Sequence, residues 1–67
     1  FSSDQIVQMV QSGIQSLPEK QRVVFTLRYY DEMPYEEMSK VLDTSVGALK
    51  TSYHFAVKKI EEFLSKH

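Results

Sequence analysis

Apolar residues recur at three- and four-residue steps along most of this chain, which is the spacing of one face of an α-helix. The first such stretch contains Ile6, Val7, Val10, Ile14 and Leu17. Asp4 precedes it and can cap a helix there. Pro18 marks its end, because the residue before a proline is pushed away from helical angles, whereas proline suits the first position of the next helix.

The second stretch, from residue 18 to about residue 30, is apolar around much of its circumference. Its apolar residues are Val23, Val24, Phe25, Leu27, Tyr29 and Tyr30. A helix that is apolar on most sides is usually surrounded by other elements, so we expect this helix to be the centre of the fold. The polar and proline-containing residues 31–34 then end it.

Residues 35–59 predict a short helix, a tight turn and a longer helix. Three apolar residues share one face of the short helix: Tyr35, Met38 and Leu42. Ser45 follows the break at residues 43–44 and can accept hydrogen bonds from the free N–H groups of the longer helix. The apolar positions of that helix are Val46, Leu49, Tyr53, Ala56, Ile60 and Leu64. Two helices with so short a connection are typical of a helix-turn-helix motif.

Length and composition fit one small domain spanning residues 1–67. The chain has 67 residues, no cysteine and a formal charge of -1. A domain of this size buries only about 60% of its unfolded surface, so we expect modest stability. No apolar run approaches the roughly 20 residues that span a membrane, and no alternating strand pattern is present. We therefore predict an all-α fold of four helices with a C-terminal helix-turn-helix, in the winged-helix-like or homeodomain-like three-helical class.

The longer helix of the motif carries a local positive charge. Between Thr44 and Ile60 there are three lysines and no acidic residue, although the whole chain is slightly negative. At about 100° per residue, the face opposite Tyr53 holds Ala48, Thr51, Phe55, Lys58 and Glu62, with Gly47, His54 and Lys59 on its flanks. Lys50 lies nearer the boundary with the buried side. A basic outward face on the second helix of this motif favours a DNA-binding surface.

Several short motifs follow one another in a characteristic order: LP at 17–18, VF at 24–25, LRY at 27–29, YEEM at 35–38 and SVGALK at 45–50. In this order, residues 17–64 resemble region four of bacterial sigma-70-type sigma factors, most closely the extracytoplasmic-function (ECF) group. The resemblance implies binding of double-stranded promoter DNA at the -35 element through the second helix of the motif. It also implies docking on the β flap of RNA polymerase, a cytoplasmic location, and an anti-sigma factor as a candidate partner. The chain begins at Phe1 without an initiator methionine, so we expect the N-terminal part of a longer protein to be missing.

Eight residues are candidate DNA contacts: Ser45, Lys50, Thr51, Ser52, His54, Phe55, Lys58 and Lys59. The lysines suit phosphate oxygens, since a flexible point charge needs no particular base. The hydroxyl and imidazole groups suit base edges or phosphates. The alternative for all of these polar residues is an ordinary solvated face. Phe55 is expected to be exposed, which suits a thymine methyl, a partner protein or the missing domain, and its alternative is a place at the edge of the core.

Departures from the family pattern limit what this surface can read. Many members carry arginines at the positions of Ser52, Phe55 and Val57, and this chain has none there. Arginine is the strongest reader of guanine edges, so its absence argues against a G-rich target and against tight binding by the isolated domain. Asp43 stands where glycine is common in the turn, and aspartate tolerates the left-handed conformation less readily.

No combination of residues predicts catalysis or a cofactor. The pairs Glu36–Glu37 and Glu61–Glu62 are adjacent on their helices, so their carboxylates diverge and cannot share a proton. Two histidines, His54 and His67, are too few for a metal site without further ligands. The four tyrosines are expected in the core or at interfaces, where helical spacing places them, rather than stacked on bases.

Two other functions remain open from the residues alone. One is the DNA-binding domain of a response-regulator-type activator, which is also a four-helix helix-turn-helix domain. The other is a helical protein-interaction module that has lost DNA binding, which the missing arginines would explain. A salt titration of duplex binding separates the last of these from a DNA-binding domain.

Overall fold

The computed structural model describes residues 3–66 of the chain. It contains four helices: α1 (Ser3–Gln15), α2 (Glu19–Tyr29), α3 (Tyr35–Leu42) and α4 (Val46–Ser65). Residues 3–66 form no β-strand, and none of their helices is long and apolar enough to cross a membrane. The prediction of an all-α fold of four helices is confirmed.

Prolines set the starts of α2 and α3. Pro18 has φ -56° and ψ 148°, and Pro34 has φ -62° and ψ 147°, so both lie in extended backbone immediately before their helices. Pro18 is therefore one residue outside α2 rather than at its first position. Neither proline caps its helix with a side chain. Glu19 in α2, and Glu36 and Glu37 in α3, place negative charge in the first turns, where the helix dipole favours it.

The first helix begins earlier than predicted, because Ser3 is already helical. Asp4 consequently lies inside the first turn of α1 and is not its cap. Its negative charge still complements the positive end of the helix dipole. At the other end, the hydroxyl of Ser16 donates a 2.6 Å hydrogen bond to the carbonyl of Gly13.

The helix α4 is the centre of the fold. It packs against each of α1, α2 and α3, whereas α2 packs mainly against α4 and α3. The prediction that α2 would be central is wrong, because Val23, Tyr29 and Tyr30 of that helix are exposed. Only Val24 and Phe25 of α2 are buried. A 20-residue helix such as α4 is long enough to cover three shorter neighbours along its length.

Two apolar clusters form the core, one against each half of α4. The first consists of Ile14, Leu17, Phe25, Ala56 and Ile60 and holds α1 and α2 against the C-terminal half of α4. The second consists of Val24, Met38 and Leu49 and holds α2 and α3 against its N-terminal half. Tyr53 packs against both clusters and so connects them.

The apolar face predicted for α1 is only half buried. Ile14 and Leu17 belong to the core and Val10 packs at its edge, as predicted. Ile6 and Val7, by contrast, are 51% and 57% exposed. The N-terminal half of α1 therefore leaves about half of each of these two side chains exposed.

Candidate nucleic-acid interface

The helices α3 and α4 form the predicted helix-turn-helix. Only residues 43–45 separate them, and Met38 of α3 is buried together with Leu49 of α4. Asp43 takes the left-handed conformation, with φ 51° and ψ 49°, as the turn requires. Its backbone N–H and that of Thr44 both donate to the carbonyl of Ser39. Both bonds go to one carbonyl near the C-terminal end of α3 and help to fix the angle at which α4 leaves that helix.

Ser45 caps α4, as predicted. Its hydroxyl oxygen accepts a 3.2 Å hydrogen bond from the backbone N–H of Ala48. An exposed hydroxyl used as an acceptor keeps its own hydrogen for another partner. Gly47, in the same turn, has nothing within 4 Å of where a Cβ would stand, so the surface is open there.

Most of the predicted outward face of α4 is exposed. Exposed residues are Ser45, Gly47, Ala48, Lys50, Thr51, His54, Phe55, Lys58 and Lys59. Phe55 is 51% exposed, so it does not pack at the edge of the core. Ser52 differs from the other candidates, because it is half-buried and lies within one turn of the buried Leu49 and Ala56.

Thr51 is not a free hydrogen-bond donor. Its hydroxyl donates a 3.1 Å hydrogen bond to the backbone carbonyl of Gly47, one turn earlier in α4. The hydroxyl oxygen keeps its acceptor capacity, and the residue as a whole is exposed. Thr51 can therefore accept a hydrogen bond or make an apolar contact, which narrows the role predicted for it.

Two cations from different helices meet the ring of Tyr35 at the start of α3. The Arg28 guanidinium carbon lies 5.1 Å from the ring centroid, and the Lys50 ammonium nitrogen lies 5.8 Å from it. Both distances are within the range of a cation–π interaction. Arg28 was missing from the candidate residues, since periodicity within α4 cannot show that a side chain from the last turn of α2 approaches the same ring as Lys50. The feature of the sequence that could have pointed to Arg28 is its place in the LRY motif at residues 27–29.

The tyrosines divide between the core and the surface. Tyr53 is half-buried and stacks on Phe25 at 5.6 Å, and Phe25 stacks on Tyr29 at 5.2 Å. Burial raises the pKa of the Tyr53 hydroxyl, Tyr35 adds to this, and the nearby Arg28 opposes it. Tyr29 and Tyr30 are exposed, so the expectation of burial or interface packing is met inside the domain only by Tyr35 and Tyr53.

No three histidine, aspartate or glutamate side chains among residues 3–66 are close enough together to hold a metal ion. His54 instead lies beside Phe55, with ring centroids 5.9 Å apart and planes inclined by 59°. His67, the other histidine named in the sequence, lies outside the described residues. The exposed side of α4 thus presents lysines, small hydroxyl groups and an aromatic pair.

Comparison with known proteins places the chain in a family. The family model "Sigma-70, region 4" matches residues 7–60. The ECF RNA polymerase sigma-E factor of Escherichia coli K12 is 36% identical over 59 residues, which are 88% of this chain and 31% of the relative. The ECF RNA polymerase sigma factor SigW of Bacillus subtilis is 40% identical over 45 residues, which are 67% of this chain and 24% of the relative. The chain thus spans no more than about a third of the length of these relatives.

The family match covers α2, α3 and the turn of the helix-turn-helix completely, together with α4 as far as Ile60. It includes every residue of the outward face from Ser45 to Lys59. The match supports the sigma-factor resemblance and disfavours the response-regulator alternative. The chain belongs to the sigma-70 region 4 family and is of the ECF type.

Proposed function

We propose that this domain recognises the -35 element of promoters as part of an ECF sigma factor that directs RNA polymerase to start sites. One observation carries the proposal. The exposed face of α4 from Ser45 to Lys59, on the second helix of a helix-turn-helix, holds three lysines and no acidic residue. Such a face attracts the phosphates of duplex DNA, and a helix of this kind fits the major groove.

The cations stand on both sides of the outward face. Lys50 and Lys59 are nine residues apart, which is about two and a half helical turns, so they lie on opposite flanks of α4. Lys58 lies between these flanks. The major groove is about 12 Å wide and is bordered by a phosphate backbone on each side. We infer that Lys50 and Lys59 contact opposite backbones while α4 lies in the groove.

Arg28 extends the cationic surface beyond α4. Because it approaches the same Tyr35 ring as Lys50, one positive charge from α2 and one from α4 lie 5.1 Å and 5.8 Å from the same ring centroid at one edge of the motif. Two neighbouring cations repel each other, and a phosphate between them would relieve that repulsion. We infer that Arg28 shares a phosphate with Lys50. Ser45 can add a hydroxyl donor, and His54 a ring nitrogen, on the same exposed side.

The surface is too weakly basic for tight binding by the domain alone. No arginine occurs in residues 45–66. We expect the isolated domain to bind duplex DNA with a Kd nearer the roughly 10⁻⁴–10⁻⁶ M of non-specific complexes than the 10⁻⁸–10⁻¹¹ M of specific ones. RNA polymerase, in the cytoplasm, would supply the missing affinity by holding the domain beside the promoter, since a tethered contact forms at high effective concentration.

The proposal is tested by a salt titration of binding to a mixed-sequence duplex, with Lys50→Ala, Lys58→Ala and Arg28→Ala compared with the parent. Each variant is expected to reduce the slope of log K against log salt by about 0.9, the value for one lost phosphate contact. Lys66→Ala is the matched control, because Lys66 is also exposed but lies just after the last residue of α4 and follows the acidic Glu61 and Glu62. Its slope should equal that of the parent.

Two results would contradict the proposal. If the parent does not bind the duplex even at about 10 mM salt, the domain is a protein-interaction module, which is the alternative that the missing arginines favour. If all four variants reduce the slope equally, binding is electrostatic but is not directed by the face of α4.

A further inference from the structure

Of the side chains that most often read guanine or adenine edges, residues 45–66 carry only lysine. Bidentate recognition uses arginine or lysine on guanine and asparagine or glutamine on adenine. Residues 45–66 contain no arginine, asparagine or glutamine. Lys50, the lysine nearest the start of α4 after its cap, has its ammonium group beside the Tyr35 ring. The helix therefore has few polar means of telling one base pair from another.

The same face carries three apolar groups in a row. Ala48, Thr51 and Phe55 stand at positions i, i+3 and i+7 of α4, and all three are exposed. We call these residues the apolar stripe. Because the Thr51 hydroxyl donates to the Gly47 carbonyl, Thr51 contributes its methyl group and only an acceptor to the surface. The stripe extends for about 10 Å along the helix, or about three base-pair steps.

Phe55 lies on the surface of the domain and is not a core residue that is incompletely covered. Its side chain is 51% exposed and belongs to neither core cluster. Its one aromatic neighbour within residues 3–66 is His54, which is itself exposed. Lys58 and Lys59 follow within one turn, so the ring lies among the cations that attract the phosphates.

Resting on the proposed function, we propose that α4 selects promoter DNA through the C5-methyl groups of thymine, with Phe55 as the main specificity-determining residue. The thymine methyl is the one apolar group that a base pair presents in the major groove, and alanine, threonine methyl and phenylalanine are the side chains that contact it. The target is then a -35 element with thymine facing the apolar stripe on at least one strand.

The test removes the methyl group from the DNA and leaves the protein unchanged. RNA polymerase carrying the full-length sigma factor first selects its promoter from a pool with a randomised -35 region. Each thymine in the selected -35 region is then replaced, one at a time, by deoxyuridine, which keeps every hydrogen bond. We expect at least one replacement to weaken promoter binding about fourfold, the effect of one buried methyl-sized group.

The same duplexes are then measured with Phe55→Ala and with Val41→Ala as a matched control. Val41 is also an exposed apolar residue of the motif, but it lies on α3 rather than on α4. Phe55→Ala should bind the thymine and deoxyuridine duplexes equally at the sensitive position, while Val41→Ala should keep the parent's discrimination. Because Phe55 is exposed, its replacement should leave the melting temperature nearly unchanged.

The two proposals fail in different ways. If deoxyuridine has no effect at any position while Lys50→Ala and Lys58→Ala still weaken binding, the DNA-binding function stands and methyl recognition is rejected. A selected -35 region without thymine opposite α4 also rejects methyl recognition. If the lysine variants bind like the parent, the proposed function itself is rejected.

Discussion

The hydroxyl oxygen of Ser45 accepts a hydrogen bond from the backbone N–H of Ala48 at 3.2 Å, and this contact starts the longest helix of the domain. The first four N–H groups of a helix have no partner within the helix, so a side-chain cap satisfies one of them. Since α4 packs against the other three helices, the cap stabilises the element on which both core clusters depend.

Replacing Ser45 by alanine should lower the free energy of unfolding by about 1 kcal/mol, the usual loss for such a cap. Ser45→Thr keeps an oxygen in place and should lose less. Ser65→Ala is the control, because that hydroxyl only donates to the Glu62 carbonyl at the exposed end of α4. Urea denaturation of the three variants measures the difference. Equal stability of Ser45→Ala and the parent would show that the cap does not form in solution.

Helical periodicity predicted the positions of most helices correctly because α3 and α4 each have one exposed face and one buried face. Met38 and Leu49 stand where their spacing predicts, and both are buried. The break at residues 43–44 and the cap at Ser45 were equally readable, since turn and cap residues act through their own backbone neighbours. Local chemistry thus predicted the helix-turn-helix and the exposure of Phe55.

Contacts between different helices could not be predicted from the sequence in the same way. Ile6 and Val7 have the correct spacing for burial, but burial also depends on how far the other helices cover them, and both side chains stay about half exposed. For the same reason the apolar circumference of α2 did not make it central. The approach of Arg28 and of Lys50 to the Tyr35 ring involves three helices, so the pattern of any single helix cannot predict it.

The backbone of Glu32 was also unexpected, because it takes a left-handed φ of 52° between α2 and α3. That conformation costs a residue with a Cβ about 1–2 kcal/mol and costs glycine nothing, although glycine loses about 0.5–1 kcal/mol through its greater freedom in the unfolded chain. Glu32→Gly should therefore raise the free energy of unfolding by about 0.5 kcal/mol.

Glu37→Gly is the control for Glu32→Gly, since Glu37 is exposed and helical in the first turn of α3. It should lower the free energy of unfolding by about 1 kcal/mol, the cost of glycine in a helix. Thermal melts of both variants show whether each one is more or less stable than the parent. A loss of stability in both would mean that Glu32 is not left-handed in solution.

Gly13 marks the close approach of α1 to α4. A Cβ added there would lie 3.4 Å from Phe63 Cδ1 and 3.6 Å from Ile60 Cγ2, so one methyl group just fits. Gly13→Ala should not destabilise the domain, because its gain in helix propensity of about 1 kcal/mol offsets the tighter packing. Gly13→Leu should cost about 1–3 kcal/mol by forcing the helices apart.

The matched position for Gly13 is Gly47, which has open space around it. Gly47→Leu should be tolerated where Gly13→Leu is not, as measured by urea denaturation at pH 7. If the two leucine variants are equally stable, α1 does not pack on α4 as closely as Gly13 indicates.

The half-buried side chain of Tyr53 makes the free energy of unfolding depend on pH in the alkaline range. Burial raises the pKa of Tyr53 in the folded domain above the ordinary value of 10.0, at which it titrates in the unfolded chain. Above pH 10 the unfolded chain loses this proton while the folded domain keeps it, so the free energy of unfolding falls as pH rises through the folded pKa. Below the ordinary value the contribution is fully present.

Tyr53→Phe removes the titrating group and keeps the ring stacked on Phe25. The variant should therefore lose less stability than the parent between pH 9 and pH 11 in urea denaturation, and equal losses would show that Tyr53 is not the group responsible.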